Sequence, residues 1–395
     1  MIAELRKWTT LVPVLAFVLL ALTWGRSLPG GLVALVAVFL AGAVLAAVHH
    51  AEVIAHRVGE PFGSLVLAVA VTIIEVALIV TLMADGSEKN ATLARDTVFA
   101  AVMITCNGIV GISILVTALK HRVAVFNSEG TGAAFGAIAT LAVLSLVLPT
   151  FTTSTPGPQF SPTQLVFAAT ASLIVYLLFV ATLTVRHRDY FLAPSRQPAR
   201  ATADATATAV PAVSPGSPTP TQTPTPAPAP APAPADEEHA APPTSREAWL
   251  SLSLLGVALV SVVGLAKGVS PTIERTVADA GLPASVVGVV IAMLVLLPET
   301  ISAIRSAARD RMQTSLNLAH GSALASIGLT IPAVAVASTW LSGPLVLGLD
   351  PTHMVLLALS IAVGTLTVMP GRATPLQGGV HLAVMAAYLV LAVSP

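Results

Sequence analysis

Eleven apolar stretches, each close to the roughly 20 residues that an α-helix needs to cross a bilayer, follow one another along this chain. Six precede its middle, over 9–25, 31–48, 62–84, 97–119, 132–150 and 163–185; five follow it, over 248–268, 282–304, 313–341, 344–369 and 375–393. The 395 residues are 55% apolar and 10% charged, against about 25% charged in soluble domains. In hydrocarbon the backbone must satisfy its own polar groups, and for apolar runs of this length the helix does so. The expectation is an all-α integral membrane protein of about 11 transmembrane helices, with the lipid bilayer as its main partner. The first stretch follows Arg6 and Lys7 as a signal peptide would, but Leu22-Thr23-Trp24 lacks the small residues of a cleavage site, so it reads as a retained helix. Formal net charge is zero and no long basic run occurs, which leaves nucleic acid without an electrostatic footprint. Cys106, the only cysteine, reads as a packing residue and can form no intramolecular disulfide.

Sidedness follows from the Lys and Arg of the short loops. Arg26, Lys89, Arg95, Lys267 and Arg275 fall on one side; the other 14 of the 19 lie at the N-terminus or in every second loop after it. This predicts a multi-pass protein of the cell membrane with a cytoplasmic N-terminus and an external C-terminus. Over 194–246 the composition changes to Ala, Pro and Thr, including the run Thr219–Ala235, where alternating prolines exclude helix and too little apolar surface exists to fold. The chain therefore divides into an N-terminal membrane half (1–193), a disordered or polyproline-like cytoplasmic linker (194–246) and a C-terminal membrane half (247–395). Such a linker tethers two halves without fixing their geometry. A glycosylated stalk has a similar composition, but the charge count places this segment inside.

The third stretch contains Gly63–Val80, GSLVLAVAVTIIEVALIV, which puts Glu75 near mid-membrane. An ionised carboxylate there costs at least about 2.5 kcal/mol, so Glu75 needs a partner, a proton or a bound ion. The bland alternative is a protonated glutamate that serves as hydrogen-bonded packing. The eighth stretch supplies a counterpart in Val295-Leu-Leu-Pro298-Glu299-Thr300. Proline breaks the helix directly before this acid and leaves carbonyls free, and transporters use such carbonyls around cations. Here the bland alternative is a kinked helix whose Glu299 pairs with Arg305, roughly 9 Å further along the axis.

The third and eighth stretches lie an odd number of spans apart, so their helices cross the membrane in opposite directions, as in an inverted repeat. Each acid is followed by a polar boundary, Asp85 in one half and Arg309-Asp310 in the other, and then by a helix rich in small and polar residues. The fourth stretch offers Thr105, Cys106, Asn107, Gly108 and Gly111; the ninth offers Ser315, Asn317, His320, Gly321, Ser322 and Ser326. Small residues permit close packing, and hydroxyl or amide oxygens supplement carboxylates around a hard cation. On this ground Asn107 and Asn317 stand open between ligand and packing, while Ser326 and Gly111 read as packing.

The segments GSLVLAVAVTIIEVALIV and LLPETISAIRSAARDRMQTSLNLAHGSALASIGLTIP resemble the two alpha-repeats of the cation/calcium exchanger superfamily, and within it bacterial calcium/proton antiporters of the ChaA kind. The likeness covers nearly all of the chain except the linker. It implies a core of two inverted five-helix repeats plus one extra N-terminal helix, with Glu75 and Glu299 as the central, metal-binding acids and Thr72, Asn107, Pro298 and Ser322 beside them. Two features depart from the pattern. Relatives often carry an acidic or His-rich stretch between the halves, whereas this linker has only Asp236, Glu237, Glu238 and His239. His320 stands where the pattern leads one to expect a small or apolar residue. An imidazole titrates near neutrality, so His320 is either a proton-coupling group or a neutral histidine satisfied by nearby backbone.

A second cluster, His49, His50, Glu52, His56 and Glu60, joins the second and third stretches on the cytoplasmic side. Glu52 and His56 share a helix face. The cluster could gather cations at an entry or sense pH, but it reads first as a solvated interfacial turn.

Two carboxylates sharing a low-dielectric site cannot both stay charged without compensation. One divalent cation or two protons balances them, and the two occupancies exclude each other, which makes exchange obligatory. With the resemblance, this implies a secondary transporter exchanging cytoplasmic Ca2+ for external protons by alternating access, with no cofactor beyond the transported ions. The alternative is Na+ or K+ against protons at the same acids. A channel would lack obligatory coupling, no HExxH or GxSxG motif points to an enzyme, and a scaffold leaves two costly acids unexplained. Nothing in the sequence sets an oligomeric state.

Overall fold

The structure is a computed structural model, and it describes residues 8–26, 30–58, 62–84, 91–186, 188–192, 243–283, 285–341 and 343–394. Most of the expected linker therefore lies outside the described residues. Apolar composition drives nearly every described residue into helix: α1 (Trp8–Thr23), α2 (Gly30–Val58), α3 (Phe62–Met83), α4 (Leu93–His121), α5 (Ser128–Phe151) and α6 (Pro162–Ala181). After 242 come α7 (Ser245–Asp279), α8 (Ser285–Val295), α9 (Leu297–Ala308), α10 (Met312–Ala337), α11 (Pro351–Val368) and α12 (Pro375–Val393). Eight of these helices are long and apolar enough to cross a membrane, or nine if α8 and α9, bent by 53°, form one broken span. The chain is an all-helical, multi-pass membrane protein. The remaining two expected stretches are also helical, but α1 and the Val69–Met83 part of α3 fall below that length.

Three boundaries differ from those read in the sequence. The second helix runs to Val58 instead of 48, so His49, His50, Glu52 and His56 lie on its last turns and not in a connecting turn; Glu60 lies outside the described residues. The seventh begins at Ser245, inside the expected linker, because Thr244 and Glu247 form a reciprocal capping box. Residues 344–350 have no regular secondary structure, and α11 starts only at Pro351, where the Asp350 side chain accepts from His353 N–H. Proline at the first helical position and Asp at the cap are the stronger signal; an apolar window passes over them.

The described residues on either side of 195–242 form one compact unit. At its centre α10 packs against α3, α4, α5, α6 and α9. Large apolar side chains such as Phe167, Trp249, Leu366 and Leu376 face outward. On a soluble protein they would be a liability; on this surface they meet lipid tails.

Connecting segments sort into two groups by their hydrogen bonds. A two-residue ladder pairs Ala124–Val125 (β1) with Arg372–Ala373 (β2), Asn127 N–H donates to Gln313 Oε1, and Lys120 and His121 both reach Asp310. These contacts gather the α4–α5, α9–α10 and α11–α12 connections. The other group joins the approach to α4, the α5–α6 connection and residues 344–350 through Val346 N–H to Ala91 O, Gly348 N–H to Pro158 O and Leu349 N–H to Leu146 O.

Candidate functional site

Glu75 sits on α3, 4% exposed, and its Oε1 accepts a 2.7 Å hydrogen bond from Ser326 Oγ on α10. One turn on, the fully buried Thr330 hydroxyl approaches the same carboxyl without reaching hydrogen-bond geometry. Thr72 is buried on the face of Glu75, three residues earlier. Ser322 is half-buried on the Ser326 face of α10, four residues earlier. Ser326, read from the sequence as packing, is therefore the residue that touches the first acid.

Glu299 enters from the break between α8 and α9. Leu296 separates the two helices and Pro298 occupies the first turn of α9, so the Leu294 carbonyl has no N–H to accept from that position. Glu299 follows directly, in the first turn of a helix whose dipole favours negative charge at that end. Its carboxyl is 8% exposed, Oε2 has no hydrogen-bond partner among the described residues, and both Glu75 and Glu52 lie in electrostatic range. Arg305 makes no ion pair with Glu299 among the described residues; it lies in electrostatic range of Glu52 instead. The two acids from opposite halves of the chain thus share one buried region, with a carboxylate oxygen left over.

The remaining predicted residues separate. Asn107 is fully buried in a π-helical turn, Ile104–Ile109, that widens α4 where it packs against α9 and α10; π turns often mark functional positions. Its amide hydrogen-bonds Ser360 of α11 and His381 of α12 rather than either acid. Asn317 is spent on a brace: its Oδ1 accepts from Gln313, and its Nδ2 donates to the Phe191 carbonyl in the short 3-10 turn Arg188–Phe191. His320 is 2% exposed, its ring 5.8 Å from that of Phe135, and it lies in electrostatic range of His381.

On α2 the cluster divides. His50 Nε2 meets the Thr9 carbonyl at 2.9 Å and His49 packs its ring between those of Trp8 and His50, so both fasten α1 to α2. Glu52 is half-buried in electrostatic range of His49 and His56 as well as Glu299. Sequence reasoning missed His381 altogether. It sits in a stretch whose only distinction was hydropathy, and a lone histidine there carried no spacing signal.

Two buried acids within a membrane-spanning helical bundle, one of them beside a helix break, mark a candidate functional site in a membrane transporter. The sodium/calcium exchanger protein family model matches residues 28–185 and 250–394, and the chain belongs to that family. It is 41% identical over 400 residues to the putative ionic transporter y4hA of Sinorhizobium fredii, covering 100% of this chain and 98% of that protein. It is 30% identical to the sodium-potassium/proton antiporter ChaA of Escherichia coli, covering 97% and 96%. Among solved structures it is similar to YfkE, called a Ca2+/H+ antiporter in one of them, with a TM-score of 0.67, 16% identity and coverage of 98% and 99%. The protein is an exchanger of inorganic cations, not an enzyme.

Proposed function

We propose that this exchanger moves a cytoplasmic cation outward against external protons, binding both alternately at a site shared by Glu75 and Glu299, and that the cation is Ca2+. The supporting observation is Glu299 Oε2, buried without a hydrogen-bond partner among the described residues and in electrostatic range of Glu52 and Glu75. A buried carboxylate oxygen without a donor can take a proton or ligate a metal ion. Two carboxylates balance one divalent charge, and in this reading Ser326, Thr72, Ser322, the carbonyls near Pro298 and the Asn107 oxygen supply the neutral ligands. Protons taken by both acids displace the ion and preserve charge balance. Alternating access comes from one set of helices rocking against another around the fixed site, in two inverted five-helix repeats behind α1.

The proposed setting is the inner or plasma membrane, with the N-terminus and the 194–246 tether cytoplasmic and the C-terminus external. The two groups of connections fit that sidedness, since Lys120, Arg122, Arg309, Arg311 and Arg372 all fall in one of them. A second reading, Na+ or K+ against protons at the same acids, is favoured by the 30% identity to a protein named a sodium-potassium/proton antiporter. Here one acid alone ionises per cycle.

The experiment is exchange in everted membrane vesicles. Calcium chloride dissipates an imposed pH gradient if the first reading holds, and sodium or potassium chloride if the second does. In either case Glu75→Gln and Glu299→Gln abolish the response; full exchange by both variants sinks the shared site.

A further inference from the structure

Asn107 anchors a chain of buried hydrogen bonds through α11 and α12, and its direction can be worked out from one end. Ser360 Oγ lies 2.8 Å from the Leu356 carbonyl, which can only accept, so the hydroxyl proton goes there. Ser360 Oγ must then accept from the Asn107 amide nitrogen at 2.9 Å. That assignment turns Asn107 Oδ1 toward His381 Nδ1, 3.2 Å away. Two acceptors cannot face each other there, so Nδ1 carries the proton. In the neutral imidazole Nε2 is then an acceptor, and it takes the Thr367 hydroxyl at 3.1 Å. All four side chains are at least nine-tenths buried, so water does not compete.

Close backbone contact makes this reach attainable. A Cβ on Gly111, one turn beyond Asn107, would stand 3.0 Å from His381 Cβ and 3.1 Å from the Gly378 carbonyl. Both glycines let α4 and α12 approach until the imidazole meets the amide.

We propose that His381 is a positioning residue of the cation site: its Nδ1–H holds the Asn107 amide with the oxygen in a fixed direction. This rests on the two-glutamate reading above, in which Asn107 contributes an oxygen beside the acids. An amide oxygen has two lone pairs, so accepting from His381 leaves one for an ion. Without that donor the amide is held only through its nitrogen, chiefly by Ser360, so the turned orientation, which presents the NH2 group and repels a cation, becomes less costly.

The test is the cation concentration for half-maximal exchange, and the maximal rate, in everted vesicles given calcium chloride or potassium chloride. His381→Leu, similar in volume but without a donor, raises the half-maximal concentration about tenfold, the scale of one lost buried hydrogen bond, and leaves the maximal rate within about twofold. His381→Gln, which restores an N–H donor, recovers most of the affinity. Thr367→Val keeps the imidazole but removes the donor that fixes its tautomer; it raises the half-maximal concentration several-fold even if the Leu variant fails to fold. Unchanged affinity in Thr367→Val, or equal losses of affinity and rate in the Leu and Gln variants, overturns the proposal. Glu75→Gln and Glu299→Gln are run beside them: if these keep exchange, the two-glutamate reading has failed; if they abolish it while the Thr367 and His381 variants bind as wild type, only the positioning role has.

Discussion

Ser326 Oγ donates to Glu75 Oε1 at 2.7 Å across 251 residues of sequence. The bond ties the first acid to α10, the helix that also packs against α9 and so against the helix of Glu299. Any motion that separates α3 from α10 must break it or carry both residues along.

Ser326→Ala removes that donor and leaves a small cavity. Hydrogen bonds to charged groups contribute roughly 1.5–3 kcal/mol, so the half-maximal cation concentration should rise by about tenfold or more. Ser322→Ala, on the same face but without a bond to Glu75, should change it less than about threefold. Vesicle exchange titrations compare the two directly, and equal effects would show that Glu75 does not depend on this bond.

The α4–α12 contact predicts a stability effect. A valine at position 111 places its Cβ at about the 3.0 Å already measured to His381 Cβ and Leu382 Cγ, and overpacking of this kind costs about 1–3 kcal/mol. Thermal unfolding of the purified protein in detergent should show Gly111→Val melting lower than wild type. Gly136→Val, where an added Cβ meets nothing within 4 Å, should show little change.

The helical architecture, the two acids and the break before Glu299 could be read in the sequence because each is local. An apolar run, a carboxylate within it and a proline beside it need no knowledge of the fold. Residue partners were not legible in this way. Asn107 and Asn317 look alike in sequence, each an amide among small residues in an apolar stretch, yet one sits in a π turn and bonds Ser360 and His381 while the other clasps the Phe191 carbonyl. Ser326 and Ser322 differ only by one helical turn, and only the position of α3 decides which reaches Glu75. His381 acquires a role from a glycine contact between helices more than 250 residues apart, which no window along the chain contains.

Asp310 gives a pH-dependent prediction outside the membrane spans. Hydrogen bonds from Lys120, and then His121, hold its carboxyl below the ordinary aspartate range. A depressed carboxylate contributes stability that is present above the unfolded value of about 3.9 and is lost as pH falls through the folded value. Asp310→Asn suits the positive φ of 64° at this position, since asparagine tolerates that region. Its melting temperature should lie below that of wild type near neutrality and converge on it below about pH 4. A gap that persists at acid pH would assign the effect to packing instead of charge.

Asn317 decides between a ligand and a brace. Both ends of its amide are occupied, by Gln313 and by the Phe191 carbonyl, and the turn it holds is the last described element before the 194–246 segment. Asn317→Ala leaves that carbonyl without its donor, which costs about 1–3 kcal/mol when the group is buried. The expected result is a lower melting temperature and faster proteolytic cleavage near 188–192, with the half-maximal cation concentration within about threefold of wild type because no acid contact is lost. If affinity falls as far as in Ser326→Ala while the cleavage rate stays unchanged, Asn317 is a ligand in some other state of the cycle. In that case the Gln313 and Phe191 contacts must release it during transport.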